Sequence, residues 1–283
     1  MPELGLLDPS SVRKIAAELD LRPTKQRGQN FVIDPNTVRR IVDLAEVVAD
    51  DVVLEIGPGL GSLTLGLLER GATVVAVEID DRLAQRLERT VRERMGDDAA
   101  GRLHVVEADA LQVDQLPLAP TALVANLPYN VSVPVLLRMF ELFPDWTRGL
   151  VMVQLEVADR LVAAPGSKVY GVPSAKAAWY AETSRVGTVP PKVFWPVPNV
   201  DSGLVRITRR PAPETTATRA QVFEVVDAAF AQRRKMLRAA LAGMAGSSAA
   251  ASAAIEAAGL DPQLRGEMLD IEAFARIAER LLG

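Results

Sequence analysis

Short apolar runs alternate with segments of helical periodicity through the first half of the 283-residue chain. Each run is rich in β-branched side chains, the pattern of a strand that is buried on both faces of a parallel sheet. The segments between the runs carry apolar side chains at helical spacing. Alternating strands and helices predict an α/β, Rossmann-like fold. The predicted parallel strands are Val52–Ile56, Thr73–Val77, Leu103–Val106, Ala122–Ala125 and Leu150–Val153.

The second half of the chain predicts two more strands and then a helical domain. Thr183–Val189 and Leu204–Thr208 are β-rich and should close a mostly parallel seven-stranded sheet as an antiparallel pair. The proline- and threonine-rich segment 210–218 is typical of a linker, and the chain beyond it is alanine-rich and helical. We therefore predict a first domain over residues 1–209 and a small all-α domain over residues 210–283.

A glycine-rich turn, Gly57-Pro58-Gly59-Leu60-Gly61, follows the first predicted strand and precedes an amphipathic segment. Glycines at 57 and 59 let the backbone approach a nucleotide-like ligand closely. Glu78, about twenty residues further at the end of the second strand, is placed to accept both hydroxyls of a ribose. A dinucleotide site prefers a third glycine in the first helical turn, whereas S-adenosylmethionine has no phosphate and tolerates a looser turn. The turn alone leaves both cofactors open.

Polar side chains follow three successive predicted strands: Glu78, Asp109 and Asn126. Ligands of an open α/β sheet bind beyond the carboxyl ends of its strands. Asp109 could accept the exocyclic amino group of a cofactor adenine. Its alternative role is that of a helix cap or turn residue.

The segment Asn126-Leu127-Pro128-Tyr129 indicates the chemistry. The amino group of adenine is a poor nucleophile because its lone pair is delocalised into the ring, so a methylating enzyme must hold both amino hydrogens. The side-chain oxygen of Asn126 and the carbonyl of Leu127 can accept them, while Tyr129 offers a ring for stacking. The alternative is a strand end with turn-forming residues and a packed tyrosine. Together with the glycine turn, the segment favours methyl transfer.

Further motifs extend this pattern over nearly the whole chain. They are Arg27–Asp34, Glu55–Thr64, Glu78–Asp80, Asp109–Leu111, Asn126–Ser132, Gln154–Leu161, Ser167–Gly171, Phe194–Ser202 and Ala229–Lys235. In this order they resemble the ribosomal RNA adenine dimethyltransferases, specifically the bacterial small-subunit dimethyladenosine transferases. The chain departs from the family pattern at Leu155, Val172-Pro173 and Asn199, which bears on RNA contacts rather than on the chemistry.

The resemblance implies the class I methyltransferase fold with S-adenosyl-L-methionine as the cofactor. An N-terminal arm, residues 1–35, should lie over this cofactor. The expected cofactor-binding residues, to which the glycine turn adds Gly59, are Asn30, Val32, Gly57, Gly59, Glu78, Asp109 and Asn126.

The resemblance also implies a substrate, two adjacent adenines in a hairpin loop near the 3′ end of 16S rRNA in the assembling 30S particle. The target base should lie at Asn126, Leu127, Pro128 and Tyr129. Phe194 is our candidate for the second face of the base. The alternative for Phe194 is a core aromatic in a proline-rich loop.

The net charge of −4 does not by itself indicate a nucleic-acid-binding protein. Local clusters matter more, because phosphate contacts are short-ranged at cellular salt. We predict RNA contact at Arg233, Arg234, Lys235 and Arg238; the alternative is a solvated helix face. A second basic set near the N-terminus comprises Arg13, Lys14, Arg22, Lys25, Arg27, Arg39 and Arg40.

Several classes of protein are disfavoured by composition. The chain has no cysteine, which excludes disulfides and thiolate metal sites, and its one histidine, His104, falls in a predicted strand. No apolar run approaches the roughly eighteen residues of a membrane span, and the start of the chain lacks the pattern of a secretory signal. We expect a cytoplasmic monomer without a metal.

Three alternatives share part of the pattern. A large-subunit rRNA methyltransferase of the macrolide-resistance type has a similar Asn-Leu-Pro-Tyr segment, but the glycine turn and the Arg-Arg-Lys tail favour the small-subunit type. A DNA adenine methyltransferase usually carries two prolines after its Asn or Asp and a target-recognition domain. A non-catalytic ribosome-assembly or RNA-binding factor would not need Glu78, Asp109 and Asn126 together.

Overall fold

The structure, a computed structural model, describes residues 5–21 and 29–283. The chain folds as two units. Unit 1 comprises the chain up to Ala158 together with Ser184–Arg209, and unit 2 comprises Asp159–Thr183 and Arg210–Gly283. Each unit is described separately below.

Within the described residues, nine strands form one large sheet and one small sheet. They are β1 (Phe31–Val32), β2 (Val52–Ile56), β3 (Thr73–Glu78), β4 (Leu103–Glu107), β5 (Ala122–Asn126), β6 (Arg148–Gln154), β7 (Ala181–Val189), β8 (Phe194–Trp195) and β9 (Ser202–Arg209). The large sheet has seven strands in the order β4-β3-β2-β5-β6-β9-β7. Strands β2 to β6 pair in parallel, and β9 is antiparallel to β6. The predicted mostly parallel seven-stranded fold is therefore confirmed.

The central strands have side chains buried on both faces, as their continuous apolar runs predict. Val53, Leu54, Val74 and Val124 have no exposed surface. The small sheet, in which β1 and β8 pair antiparallel, has no counterpart in the prediction. It joins Phe31 to Trp195 and Val32 to Phe194.

Six helices belong to the described part of unit 1. They are α1 (Pro9–Glu18), α2 (Pro35–Leu44), α3 (Ser62–Glu69), α4 (Asp81–Met95), α5 (Asp97–Ala100) and α6 (Ser132–Leu142). Three of them begin after an aspartate whose carboxylate accepts a backbone N–H of the first turn, which is a common and stabilising cap. These caps are Asp8 for α1, Asp34 for α2 and Asp80 for α4. The helix α7 (Leu155–Leu161) starts in unit 1 and ends in unit 2.

Unit 2 is helical, in agreement with the all-α character predicted for the end of the chain. Its core includes Val222, Leu237, Ile255 and Phe274, all without exposed surface. Its helices are α8 (Val172–Ala178), α9 (Arg219–Ala231), α10 (Leu237–Ala240), α11 (Ala242–Ala245), α12 (Ser248–Ala257) and α13 (Ile271–Leu282).

The observed unit 2 is larger than the predicted domain 210–283 because it includes residues 159–183. The hydroxyl of Tyr170 donates a hydrogen bond to the carbonyl of Leu269 (2.8 Å), and Lys176 pairs with Asp227 (2.8 Å). These contacts join the segment before the linker to the helices after it. The functional division into a catalytic and an RNA-recognition domain stays a prediction. Within residues 5–21 and 29–283, no helix is long and apolar enough to cross a bilayer.

Candidate active site

Residues from several strand ends of unit 1 line one cavity of about 670 Å³. This volume is within the usual range of about 300–1,000 Å³ for small-molecule sites. Of the predicted target-base site, Asn126, Leu127 and Pro128 line this cavity, whereas Tyr129 and Phe194 are not among the lining residues. The predicted cofactor residues that line it are Asn30, Val32, Gly57, Gly59, Glu78, Asp109 and Asn126.

The glycine turn between β2 and α3 closes tightly against its neighbours. Gly57, Gly59 and Gly61 have φ angles of 69°, 59° and 93°, a region that glycine adopts without strain. A Cβ on Gly59 would lie 2.7 Å from the Phe31 ring. The turn therefore requires glycine both for its backbone conformation and for the approach of Phe31.

Glu78, at the end of β3, is almost fully buried, with 4 % of its surface exposed. Its Oε2 accepts the N–H of Gly59 and its Oε1 accepts the N–H of Asp80, both at 3.0 Å. Burial raises the pKa of Glu78, against the effect of these backbone hydrogen bonds. A carboxylate offers about four acceptor sites, so it can also accept ribose hydroxyls. Glu78 thus shapes the glycine turn in addition to its predicted role.

Asp109 is half-buried in the loop after β4. Its Oδ1 accepts the N–H of Leu111 at 2.9 Å, which is the turn-forming role that the sequence left open. Because the carboxylate keeps further acceptor capacity and faces the cavity, this role is compatible with a contact to a cofactor amino group.

The side chain of Asn126, at the end of β5, has a defined orientation. Its Nδ2 donates to the backbone carbonyl of Asn30 at 2.9 Å. Since a carbonyl can only accept, this bond selects the amide orientation and leaves Oδ1 as an acceptor. Oδ1 is the atom predicted to take an adenine amino hydrogen. The next residue is anchored as well, because Leu127 N–H donates to the carbonyl of Met152 (3.0 Å).

The two aromatic residues of the predicted target site differ in accessibility. Tyr129 is half-buried, its hydroxyl lies 2.7 Å from Ser202 Oγ, and burial raises the pKa of Tyr129. Phe194 is fully buried in β8 opposite Val32. A base can stack only on an accessible ring face, so the burial of Phe194 favours the core alternative, and its assignment to the target site stays a prediction.

Three cavity residues carry features to which the sequence analysis gave no role. Glu55 is buried beside Glu78 and accepts the Thr64 hydroxyl at 2.7 Å; burial raises the pKa of Glu55 to about 8. Phe31 packs over the glycine turn and stacks on Trp195 with ring centroids 6.3 Å apart. Ile79 is 68 % exposed. Two of these residues could have been noticed in the sequence. Glu55 is an acid inside the apolar run of β2, and Ile79 is an apolar residue between the acids Glu78 and Asp80.

The charge of the cavity distinguishes between the two candidate cofactors. The pyrophosphate of a dinucleotide would face a largely acidic lining. Among the described lining residues, Arg82 is the one cation, and it is paired with Asp80 at 3.2 Å. The positively charged sulfonium and amino groups of S-adenosylmethionine fit this lining. The carboxylates are those of Glu78, Asp80, Asp81 and Asp109, whereas the buried acid Glu55, with its pKa raised to about 8, is mostly uncharged at neutral pH. Within residues 5–21 and 29–283, no cluster of acidic side chains and histidine is suited to a metal ion.

Three residues of the predicted RNA cluster, Arg233, Arg234 and Lys235, lie in the turn between α9 and α10, and Arg238 lies in α10. The guanidinium of Arg233 donates to the carbonyls of Tyr170 (2.6 Å) and Lys168 (2.8 Å) and pairs with Glu267 (2.9 Å). Arg233 therefore holds protein segments together, and its assignment as a phosphate contact stays a prediction that these contacts make less favourable. The turn and the start of α10, which together we call the basic turn, carry three exposed cations: Arg234, Lys235 and Arg238.

Basic residues elsewhere in the chain also make contacts within the protein. Arg206 pairs with Glu46, Arg210 with Glu272, and Arg39 with Glu69. Arg13, Lys14 and Arg40 are exposed. The expectations for Arg22, Lys25, Arg27 and the middle of the N-terminal arm lie outside the described residues.

Comparisons with known proteins identify the relatives of this chain. Residues 21–282 match the family model described as ribosomal RNA adenine dimethylase. The chain is 68 % identical to the ribosomal RNA small subunit methyltransferase A of Cutibacterium acnes, with 99 % of this chain and 96 % of the relative covered. It is 67 % identical to the protein of the same name from Streptomyces coelicolor, with 97 % and 96 % covered.

Two solved structures share the fold. A dimethyladenosine transferase from Plasmodium falciparum has a TM-score of 0.72 at 22 % identity, with 87 % of this chain and 95 % of that chain covered. The 23S rRNA methyltransferase ErmE has a TM-score of 0.63 at 28 % identity, with 89 % and 99 % covered. The family model spans nearly the whole chain, and the relatives from Cutibacterium acnes and Streptomyces coelicolor are 68 % and 67 % identical to it. The chain therefore belongs to the ribosomal RNA adenine dimethylase family.

Proposed function

We propose that this chain dimethylates the exocyclic amino groups of two adjacent adenines in the 3′-terminal hairpin loop of 16S rRNA. Its family makes it an S-adenosylmethionine-dependent rRNA adenine methyltransferase. The name shared by the relatives at 68 % and 67 % identity supports the small subunit as the target. The large-subunit alternative is less favoured, because ErmE is 28 % identical.

The fixed amide of Asn126 is the observation that carries the catalytic proposal. Asn30 holds Nδ2, so Oδ1 is presented as an acceptor at a sheet edge where the cavity opens. Oδ1 and the carbonyl of Leu127 accept the two amino hydrogens of adenine, which leaves the nitrogen lone pair free to point at the methyl donor. Tyr129 supports one face of the base.

The chain's residues orient the reacting nitrogen but need not supply a base. When bound, S-adenosylmethionine supplies an activated methyl carbon on a sulfonium sulfur. The adenine nitrogen becomes strongly acidic once methylated, so its proton can pass to water. After the first transfer one amino hydrogen remains, and one of the two acceptors continues to hold it for the second transfer.

The cofactor assignment rests on the positions of seven residues around the cavity. Glu78 would accept the ribose hydroxyls and Asp109 the adenine amino group. The turn at Gly57 and Gly59 would let the backbone approach the cofactor. Asn30, Val32 and Asn126 complete the proposed contacts.

We propose that the basic turn contacts rRNA phosphates of the assembling 30S particle. Arg234, Lys235 and Arg238 are exposed, and none pairs with a carboxylate in the described part of the chain. Such contacts position a protein on RNA without reading its sequence. We further propose that the enzyme acts as a cytoplasmic monomer, since its substrate is an rRNA particle.

The test is primer extension on 16S and 23S rRNA from a strain that lacks the gene and from the same strain carrying it. Dimethylated adenines block reverse transcriptase, so we expect two adjacent stops near the 3′ end of 16S rRNA that depend on the gene. Purified protein should restore them on 30S particles from the deletion strain. A gene-dependent stop in 23S rRNA instead would overturn the proposal.

A further inference from the structure

The antiparallel strand β9 brings an additional residue to the carboxyl ends of the parallel strands. We call this side of the sheet, where Glu78 and Asn126 lie, the catalytic edge. Because β9 runs opposite to β6, its first residue lies where the parallel strands end. Ser202, that first residue, pairs in register with Gln154, the last residue of β6. Asn126, the last residue of β5, pairs with Met152 of the same strand. Ser202 and the target-base segment are thus neighbours, although 76 positions separate Asn126 from Ser202 in the sequence.

Ser202 is held firmly in this place. It has no exposed surface, and the residue before it, Asp201, accepts the N–H of Leu155 at 2.9 Å. The residue after it is Gly203, where a Cβ would overlap the Cβ of Ala158. The backbone on both sides is therefore fixed, and the serine hydroxyl has a defined direction.

The partner of that hydroxyl is Tyr129. The two oxygens are 2.7 Å apart, a normal distance for a hydroxyl–hydroxyl hydrogen bond. A buried hydroxyl without a partner is unfavourable, so the bond is strongly preferred once Ser202 is buried. The tyrosine oxygen lies at the far end of the ring, and fixing it fixes the direction in which the ring axis points.

We infer that Ser202 is a positioning residue that aims the ring of Tyr129 at the place where the target adenine stacks. This inference rests on the proposed function, in which Tyr129 supports the base. Ser202 does not touch the base; it removes the freedom of the ring before the base arrives. The entropy lost when the Tyr129 ring is ordered is then lost during folding and not when the base binds. This favours the reactive geometry.

The test is a double-mutant cycle with Ser202→Ala, Tyr129→Phe and the double variant. The measured quantity is the single-turnover methylation rate on saturating 30S particles that lack the modification. Each single change should lower the rate about 3- to 10-fold, the expected effect of one hydrogen bond. The double variant should be no slower than either single variant, because all three lack the same bond.

Three further measurements separate positioning from general damage. Ser202→Thr keeps a hydroxyl and should recover most of the rate. Cofactor affinity, measured by calorimetry, should not change in any variant, because Tyr129 does not line the cavity. Thr121→Ala is the matched control: it removes a hydroxyl that donates to Asp51 (2.9 Å) at the opposite edge of the sheet, and it should leave the rate unchanged.

Multiplicative losses in the double variant, or a Ser202→Ala rate within twofold of the starting protein, would overturn the inference. If Ser202→Ala does not fold, Tyr129→Phe decides alone: a rate within twofold of the starting protein overturns the inference. Tyr129→Ala tests the stacking role separately, and its full activity would remove the premise. Failure of the unmodified protein to methylate 30S particles would instead refute the proposed function.

Discussion

The catalytic edge of the sheet in unit 1 and the basic turn in unit 2 are organised in opposite ways. At the sheet edge, the side chains of Glu78 and Asn126 are buried or half-buried and already bound to backbone groups. In the basic turn, the cations face solvent and Arg233 alone among the four predicted contacts is tied to several protein groups. Groups that orient a reacting atom must be placed in advance. Phosphate contacts depend on charge and tolerate mobile side chains.

The largest effect should come from removing the fixed amide. Asn126→Ala should lower single-turnover methylation by about 100- to 1,000-fold, since positioned hydrogen-bonding groups at a reacting centre contribute about 2.7–4 kcal/mol. Cofactor binding, measured by calorimetry, should persist with reduced affinity. Asn36→Ala, on an exposed position of α2, is the control. Methylation at a near-normal rate would show that another group orients the amine.

Glu78→Ala should weaken cofactor binding, each lost hydrogen bond to a charged group contributing about 1.5–3 kcal/mol. The melting temperature should also fall, because Gly59 and Asp80 lose their acceptor. Calorimetry and thermal denaturation measure the two effects. Glu107→Ala is the matched control, since Glu107 pairs in register with Glu78 but is exposed. An affinity within twofold of the starting protein contradicts the ribose assignment.

Glu55 should make the stability of unit 1 depend on pH. Burial raises the pKa of Glu55 from 4.5 to about 8, so the folded protein keeps a proton that the unfolded chain has lost at neutral pH. Its contribution to stability is present below about pH 4.5 and is lost as pH rises through about 8. Relative to Glu55→Gln, the free energy of unfolding should fall between pH 5 and 8 by at most about 1.4 kcal/mol per pH unit. Urea denaturation at several pH values measures it; parallel curves would contradict the assignment.

The smallest effect should be found in the basic turn. The triple change of Arg234, Lys235 and Arg238 to Ala should flatten the salt dependence of 30S binding, with the logarithmic slope falling by roughly 0.7–0.9 per lost contact. Cofactor affinity should not change. Arg233→Ala should leave the slope unchanged but lower the melting temperature, because it breaks bonds to Tyr170, Lys168 and Glu267. Equal slopes for the triple variant and the starting protein would mean that these cations are only solvated.

The large sheet could be predicted because its strands are buried on both faces and leave a continuous apolar signature. The small sheet could not, since β1 and β8 have two residues each and lie far apart in the sequence. The end of α9 at Ala231 could not be predicted either, because no glycine or proline marks it before the basic turn. The segment 159–183 precedes the linker in the sequence, and its assignment to unit 2 depends on tertiary contacts such as the hydrogen bond from Tyr170 to Leu269 and the pair Lys176–Asp227.

The sequence by itself determined which polar residues follow the successive parallel strands, namely Glu78, Asp109 and Asn126. Together with the motifs around them, these residues indicated the cofactor class and the reaction. These features are local, because a strand, its final residue and the following turn are contiguous. Tertiary structure decided the orientation of the Asn126 amide, the partner of Tyr129, the burial of Phe194 and the structural role of Arg233. Each of these depends on a contact between residues distant in the chain, and side-chain identity alone does not specify which distant group will satisfy a hydrogen bond or cover a ring.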